Sequence, residues 1–401
     1  EAVQNGARSV IIAKGKEHIL ETMRKHDIEN LAIAIVPDTY QALYDIAAAW
    51  RQQFDFPIIG ITGSLGKTST KEMLARVLRK AGMRCFASHG NQNTHLGVAL
   101  NLLRLHADYD VAIFEMAVTK RGEMQQRAQL VDPTTAIITT VAHSHLEGLG
   151  SLNDIAAEKR QIFSQFRPDN IGIVNGDIPI LSSISYSHPI IRFGFKTTNQ
   201  VQARKVQING NEASFVLKLY GRRHHVTMPT HHTGQILNAL ACAAAGCFLG
   251  INDVDIVAGI QEPVYTPGRY YPQALPGGNG LVIDDCYNAN PESMKEALLA
   301  FERLEAQGEK VAVLGDMEEL GVNTSFWHRQ LGRTLRKAPS ITKVILVGRF
   351  VHWTQETIPH GIDVRVVSDW RQAYQLLEKD NISKDSAFLV KASRSVGLEN
   401  F

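Results

Sequence analysis

Apolar positions along this chain fall into two alternating kinds of run. Short continuous stretches, such as Ile58–Ile61 and Val111–Phe114, are followed by polar turns and then by segments in which apolar residues recur every three or four positions. The first pattern suits a strand buried on both faces and the second an amphipathic helix. Their alternation predicts an α/β fold with a mostly parallel sheet.

Taken in order, residues 1–38 hold two apolar runs, Val10–Ile12 and Ala32–Val36, separated by a charged stretch of helical spacing. This reads as the end of a small α/β domain. From Thr39, the spacing of Leu43, Ile46, Ala47 and Trp50 predicts a helix that stops before Pro57. A strand then leads into a helix from Lys67 to about Lys80 that buries Met73, Leu74, Val77 and Leu78, with Gly82 marking its end. Strands follow over Tyr109–Glu115 and Thr134–Val141. The next helix is expected from about Leu152 to Phe166, capped by Ser151 or Asn153, with Ile155, Ala156, Ile162 and Phe163 inward and Lys159 beside them.

Residues 190–228 change to strict alternation around Asn209-Gly210-Asn211, the signature of an antiparallel hairpin. An alanine-rich helix from about Gln235 to Leu249 follows, and Pro263, Pro267 and Gly268 form a linker. Beyond it, strands at 281–285, 310–315, 343–347, 362–367 and 387–391 interleave with helices at 291–306, 326–338 and 370–378, which predicts a Rossmann-like domain. The expected division is therefore an N-terminal remnant over 1–38, a central nucleotide-binding domain over 39–266 and a C-terminal Rossmann-like domain over 267–401.

Composition narrows the class. A chain of 401 residues exceeds one core, since domains run to about 100–200 residues, so two or three are expected. A hydrophobic share of 44%, a charged share of 20% and a net charge of +2 describe a globular protein with no electrostatic drive towards nucleic acid or a membrane surface. The four scattered cysteines suggest reduced thiols and a cytoplasmic setting. No apolar run approaches the roughly 18 residues that span a bilayer. The chain opens on Glu1 within an element, so a preceding segment is expected.

The chemistry centres on Ile58-Ile59-Gly60-Ile61-Thr62-Gly63-Ser64-Leu65-Gly66-Lys67-Thr68-Ser69-Thr70. An apolar strand, a glycine-bearing turn and Lys-Thr opening a helix form a phosphate-binding loop. Glycines allow close backbone approach, helix N–H groups face the anion, lysine adds charge, and a threonine hydroxyl can hold Mg²⁺. Ile61 stands where the general pattern has its first glycine, and the alternative is an ordinary strand–turn–helix junction. Glu115 ends a buried strand, where doubly wound sheets place ligands, and is a metal candidate or a solvated strand-end acid. His143 and His145 follow another strand as catalytic, metal-binding or polar loop residues, and spacing does not choose among these.

Two later strings are more specific: Asp284-Asp285-Cys286-Tyr287-Asn288-Ala289-Asn290-Pro291 and Leu314-Gly315-Asp316-Met317-Glu318-Glu319-Leu320-Gly321. Together with Gly60–Thr70, His145–Gly148, Lys159–Phe163, Pro267-Gly268-Arg269 and Lys391–Ser395, they resemble the Mur ligase family, in order and over nearly the whole chain. The resemblance implies the fold of that family, with ATP and Mg²⁺ as cofactors. It implies an amide synthesis in which a carboxylate of a UDP-N-acetylmuramoyl-tripeptide is phosphorylated and the amine of D-alanyl-D-alanine attacks the acyl phosphate.

Carried over by motif, Gly63, Ser64, Gly66, Lys67, Thr68 and Ser69 would cradle the ATP phosphates. Thr68 and Glu115 would hold one Mg²⁺, and His145 and Lys159 would serve a second, with Lys159 carbamylated and Lys67, His145 and Lys159 as the catalytic set. Gln235 and Asn238 would face adenine, Asp285 and Asn288 the ribose or its neighbourhood, and Arg269 the phosphates once the last domain closes about the linker. Asn91, Asn93 and Thr94 would lie against the muramoyl substrate, and Ser393 and Arg394 would help receive the dipeptide. The partners implied are small molecules, with no nucleic acid, no membrane insertion and a monomeric chain.

Departures from the family pattern fall at Thr119-Lys120-Arg121, at Thr140 and His143, and at Gly234-Gln235. Three rivals stand beside this reading: another Mur or folylpolyglutamate-type ligase, a phosphotransferase or ATPase, and a non-catalytic nucleotide-binding scaffold. The Asp-Asn-Pro-Arg motif of the diaminopimelate-adding sister is absent.

Overall fold

The computed structural model describes residues 5–20, 31–275, 277–380 and 382–401. The charged stretch expected to be helical between the first two strands lies largely at 21–30, outside the described residues. Strands β1 (Ser9–Ala13) and β2 (Ala32–Val36) pair in parallel as a sheet of their own.

The central sheet contains β3 (Ile58–Thr62), β4 (Cys85–Ala87), β5 (Val111–Glu115), β6 (Thr135–Ile138), β7 (Ile171–Asn175), β8 (Ile190–Gly194), β9 (Val201–Asn209), β10 (Glu212–Leu219) and β11 (Arg222–Met228). Their spatial order is β11-β10-β9-β8-β7-β6-β3-β5-β4. Pairing is parallel from β4 across to β9 and antiparallel from β9 to β11, which matches the change from continuous to alternating apolar residues. The expected hairpin turns at Gly210-Asn211, between β9 and β10.

The C-terminal sheet contains β12 (Tyr271–Ala274), β13 (Leu281–Asp284), β14 (Lys310–Gly315), β15 (Ile341–Val347), β16 (Asp363–Val367) and β17 (Ala387–Lys391), ordered β12-β13-β17-β14-β15-β16. It is parallel apart from the edge strand β12.

Burial explains the placement of the phosphate-loop helix, Lys67–Lys80. Its inward residues Met73, Leu74, Val77 and Leu78 are at most 1% exposed, and full burial of such side chains contributes about 1.5–3 kcal/mol each. They pack with the alanine-rich helix Thr233–Phe248 and the helix Asp253–Gln261. Gly259 permits that approach, because a Cβ there would stand 2.6 Å from the Val77 Cα.

Within the sheet, β3 lies between β5 and β6, so the chain leaves β3 towards one side and later returns on the other. That reversal opens a crevice at the carboxyl end of β3, where open α/β sheets bind their ligands. The helix begun at Leu152 is shorter than its pattern: it ends at Arg160 and tightens to a 3₁₀ turn over Gln161–Phe163. Ile162 and Phe163 still face inward from that turn, so the apolar spacing persists after the α-helix has stopped. None of the described helices is long and apolar enough to cross a membrane.

Candidate active site

The crevice is built first by glycine. Gly63 has φ 151°, and a Cβ there would meet the Thr139 Oγ1 at 1.9 Å. Gly66, at φ 80°, precedes the first helical residue and supplies no side-chain cap, so the helix N-terminus is left to an external acceptor.

The loop is then braced by the segment after β6. Ser64 N–H donates to the Thr140 carbonyl at 2.9 Å, Leu65 N–H donates to the Thr140 Oγ1 at 2.8 Å, and Ser64 Oγ donates to the Ala142 carbonyl at 3.1 Å. Thr139 Oγ1 donates to the Leu65 carbonyl at 2.5 Å. Thr139 and Thr140 thus hold the phosphate loop, a role the motif reading missed; two hydroxyls directly after a buried strand were the available signal.

Charge is concentrated on the same spot. Part of the Lys67 surface opens to the cleft, yet its ammonium is closely surrounded and donates to the Gly63 carbonyl at 2.9 Å. Burial pushes its pKa down to about 8, with Glu115 opposing the shift and Arg269 adding to it. Lys159 is 2% exposed, and its pKa is pushed down to about 7, first by burial and then by Lys67, against the pull of Glu158. Lys67, Glu115, Lys159 and Arg269 therefore form one electrostatic group drawn from three helix or strand ends and the linker.

Glu115 is 1% exposed, and its Oε1 accepts from Asn93 Nδ2 at 2.7 Å. Its Oε2 is buried without a partner, and so is the Thr68 Oγ1. Two unsatisfied oxygens, a hydroxyl and a carboxylate, are the donor set that suits Mg²⁺. Among the described residues no three His, Cys, Asp or Glu side chains form a ready metal cage. A Mg²⁺ delivered with nucleotide phosphates needs only one or two protein oxygens, so the residues present fit it.

The histidines turn towards the C-terminal sheet. His145 adopts φ 54°, and its Nδ1 pairs with the Glu319 carboxylate. Glu147 N–H donates to the Glu319 carbonyl at 3.2 Å. A neutral imidazole that gives its Nδ1–H to such a carboxylate presents the Nε2 lone pair, the arrangement common behind metal-binding imidazoles. His143 pairs with Glu292 and packs its ring 4.6 Å from that of Trp327.

The remaining expected residues divide. Gln235 lines a cavity of about 240 Å³ with His231, His232 and Tyr270. Asn238 is turned instead to the phosphate loop, where its Oδ1 accepts from Thr70 Oγ1 at 3.2 Å. Arg269 stacks 3.6 Å over the Tyr287 ring. Asp285 is held by Lys391 at 2.8 Å and accepts the Tyr270 N–H at 3.0 Å, while Asn288 Oδ1 accepts from Ala289 N–H at 2.8 Å.

Ser69 is 9% exposed in the first helical turn beside Thr68. Asn91 is exposed, Asn93 is buried against Glu115, and Thr94 caps the helix His95–Leu102. Ser393 accepts from Glu318 N–H at 2.9 Å, and Arg394 is an exposed side chain paired with Glu399. The phosphate loop, Glu115, Asn93, Lys159 and Arg269 are thus brought together, whereas Ser393 and Arg394 have structural partners in the C-terminal sheet unit.

A two-sheet α/β frame with this loop, carboxylate and buried lysine defines a nucleotide-binding, phosphate-handling class of protein, and the likeness to known proteins makes the class more specific. Residues 61–246 match the model of the Mur ligase middle domain, and residues 273–394 match that of the Mur ligase, glutamate ligase domain. The chain belongs to the Mur ligase family and is an ATP-dependent, amide-bond-forming ligase.

Among its relatives is the UDP-N-acetylmuramoyl-tripeptide–D-alanyl-D-alanine ligase of Bacillus subtilis, 34% identical over 92% of this chain and 80% of that protein. The Escherichia coli ligase of the same name is also 34% identical, over 92% of this chain and 81% of its own length. A crystal structure of MurF from Acinetobacter baumannii superposes with a TM-score of 0.85 at 28% identity, covering 99% of this chain and 90% of that one. MurF from Thermotoga maritima in complex with ADP shares the fold, with a TM-score of 0.84 over 98% of this chain and 92% of that one, at 24% identity.

Proposed function

We propose that this enzyme joins D-alanyl-D-alanine to UDP-N-acetylmuramoyl-tripeptide in cytoplasmic peptidoglycan precursor synthesis. The substrates follow from the likeness to the Bacillus subtilis and Escherichia coli ligases. The reaction class rests on one local observation: the unpartnered Thr68 Oγ1 and Glu115 Oε2 lie buried beside the phosphate loop that carries Lys67.

In this reading a terminal carboxylate oxygen of the tripeptide attacks the γ-phosphorus of ATP, and ADP leaves. The dipeptide amine then attacks the acyl carbon, phosphate leaves, and the amine proton passes to solvent. A carboxylate alone is a poor electrophile, and phosphorylation gives it a leaving group. Lys67 and the helix N-terminus offset the charge gathered on the transferring phosphoryl group.

Thr68 and Glu115 would hold Mg²⁺ here, and His145 with Lys159 a second, supplying Lewis-acid charge to the phosphoryl oxygens. Lys159 serves as a carbamate: its neutral Nζ adds to CO₂ and releases a proton, and the depressed pKa of about 7 keeps that neutral form available near neutral pH. Gln235 takes the adenine edge in the cavity it shares with Tyr270, and Arg269 reaches the phosphates. Residues 1–38, 39–266 and 267–401 act as the end of the UDP-substrate domain, the ATP domain and the dipeptide-receiving domain of a monomer.

Mass spectrometry of the product from ATP, Mg²⁺ and both peptides tests this reading on the full-length protein. One pentapeptide per ADP is expected, and Lys67→Ala should lower the yield rate at least a hundredfold. ADP formation without an amide product contradicts the assignment.

A further inference from the structure

A second lysine on the phosphate-loop helix lies one turn beyond Lys67, on the face that carries the buried Leu74 and Leu78, where a charged side chain is uncommon. Lys71 is 0% exposed. Its Nζ donates to the Ser88 carbonyl at 2.7 Å and the Gly90 carbonyl at 3.0 Å, and it pairs with the Glu72 carboxylate at 2.9 Å. An ammonium has three donors, so these contacts satisfy it completely. Such an arrangement is needless for packing alone, because a buried ammonium is costly to desolvate and a methionine would fill similar space.

The segment that Lys71 grips reaches the candidate metal carboxylate at both ends. Ser88 Oγ accepts the Glu115 N–H at 3.0 Å, and Asn93 Nδ2 donates to Glu115 Oε1 at 2.7 Å. The same segment carries the exposed Asn91, and Asn93 N–H donates to the Asn91 carbonyl at 2.8 Å. Lys71 thereby ties three things into one rigid piece: the helix whose N-terminus faces phosphate, the carboxylate Glu115, and the 88–93 loop.

We infer that Lys71 is a positioning residue that fixes the 88–93 loop relative to the phosphate loop, so that the UDP-linked acceptor is held in register with the nucleotide, while Glu115 keeps its place at the end of the buried strand β5. The inference deepens the proposed function and rests on it for the identity of the acceptor. Lys71 touches neither reactant in this arrangement; it acts through the Ser88 and Gly90 carbonyls.

The test compares the wild-type full-length enzyme with Lys71→Met, which fills similar space and removes the donors. Calorimetric ADP binding without Mg²⁺ should stay within threefold, because the Lys67 loop is untouched. The KM for UDP-N-acetylmuramoyl-tripeptide should rise at least tenfold while the KM for ATP changes less than threefold. A merely structural role would instead degrade both KM values and kcat together. If Lys71→Met does not fold, Lys71→Gln, which retains one amide donor group, should show the same split with at least a threefold rise in acceptor KM. Equal shifts in the two KM values, or an unaltered acceptor KM in the folded variant, would overturn the inference.

A second readout is independent of the acceptor. Amide hydrogen exchange over residues 88–93 should quicken at least tenfold in the variant while the phosphate-loop helix keeps its protection; unchanged exchange there also overturns the inference. A wild type that forms no pentapeptide would defeat the functional reading, whereas a working wild type with normal exchange in the variant defeats only the role of Lys71.

Discussion

Two lysines of the cleft differ in how far the sequence reveals them. Lys67 belongs to a recognisable loop, and its neighbours follow from the strand–turn–helix pattern. Lys159 lies on a helical face where spacing alone suggests a solvated charge, yet it is 2% exposed and repelled by Lys67. Substituting Lys159→Ala should abolish most turnover, and added formate or acetate should restore part of it by replacing a carbamate oxygen donor. Steady-state phosphate release checks this, and full activity of the variant would return Lys159 to a passive role.

Lys71 was not legible at all, because its partners Ser88 and Gly90 lie on a separate loop and no local pattern reports a contact of that kind. Thr68 and Glu115, by contrast, were legible because each sits at a fixed offset from the end of a buried strand, and parallel pairing of β3 with β5 brings those ends together.

The elements themselves were readable wherever burial imposes a clean period. Strands β14 and β17 and the helix Lys67–Lys80 coincide with the runs that predict them. Short elements were harder: the helix His95–Leu102 and strand β4 are brief, and their apolar residues do not extend over enough turns or alternations to show a period. The departure at Thr140 is explained at this scale. Its hydroxyl accepts from Leu65 N–H at 2.8 Å, so the loop after β6 supplies the phosphate loop with an acceptor. Thr140→Val keeps shape but leaves that part-buried amide unpaired, which costs about 1–3 kcal/mol. ADP affinity measured by calorimetry should fall roughly tenfold, at about 1.4 kcal/mol per tenfold change; unaltered affinity would mean that the loop holds itself.

Across the whole molecule, the central and C-terminal sheets meet through polar clasps around the crevice. His143 pairs with Glu292, His145 with Glu319, and Thr233 Oγ1 donates to Glu296 at 3.0 Å. The linker is fastened as well, since Gly268 N–H donates to Asp284 Oδ2 at 3.0 Å and Gly268 accepts the Tyr287 N–H at 3.0 Å. The alternation of strand and helix patterns on either side of the Pro/Gly linker made the two-part architecture legible in sequence, but side-chain pairs between the parts depend on how they close and carry no linear signal.

A further contact beside the linker, between His231 and Tyr270, predicts an acid response. His231 is 9% exposed, its Nε2 lies 3.0 Å from the Tyr270 hydroxyl, and its carbonyl accepts from Arg303. Burial pushes its pKa down from 6.5 to about 4. Between those values the unfolded chain binds the proton more readily than the folded one, so stability falls as pH is lowered through the window. The loss approaches about 3 kcal/mol at its lower edge. Urea unfolding at pH 6.5 and pH 4 should show this loss, and His231→Gln should flatten it; an equal slope in the variant would assign the acid response to other groups.

The central claim is that phosphate transfer here serves amide formation. Phosphate release from ATP and Mg²⁺ should be followed with UDP-N-acetylmuramoyl-tripeptide present, with and without D-alanyl-D-alanine, using the full-length enzyme. The account predicts sustained release only when both peptides are present, whereas equal release without the dipeptide would contradict it.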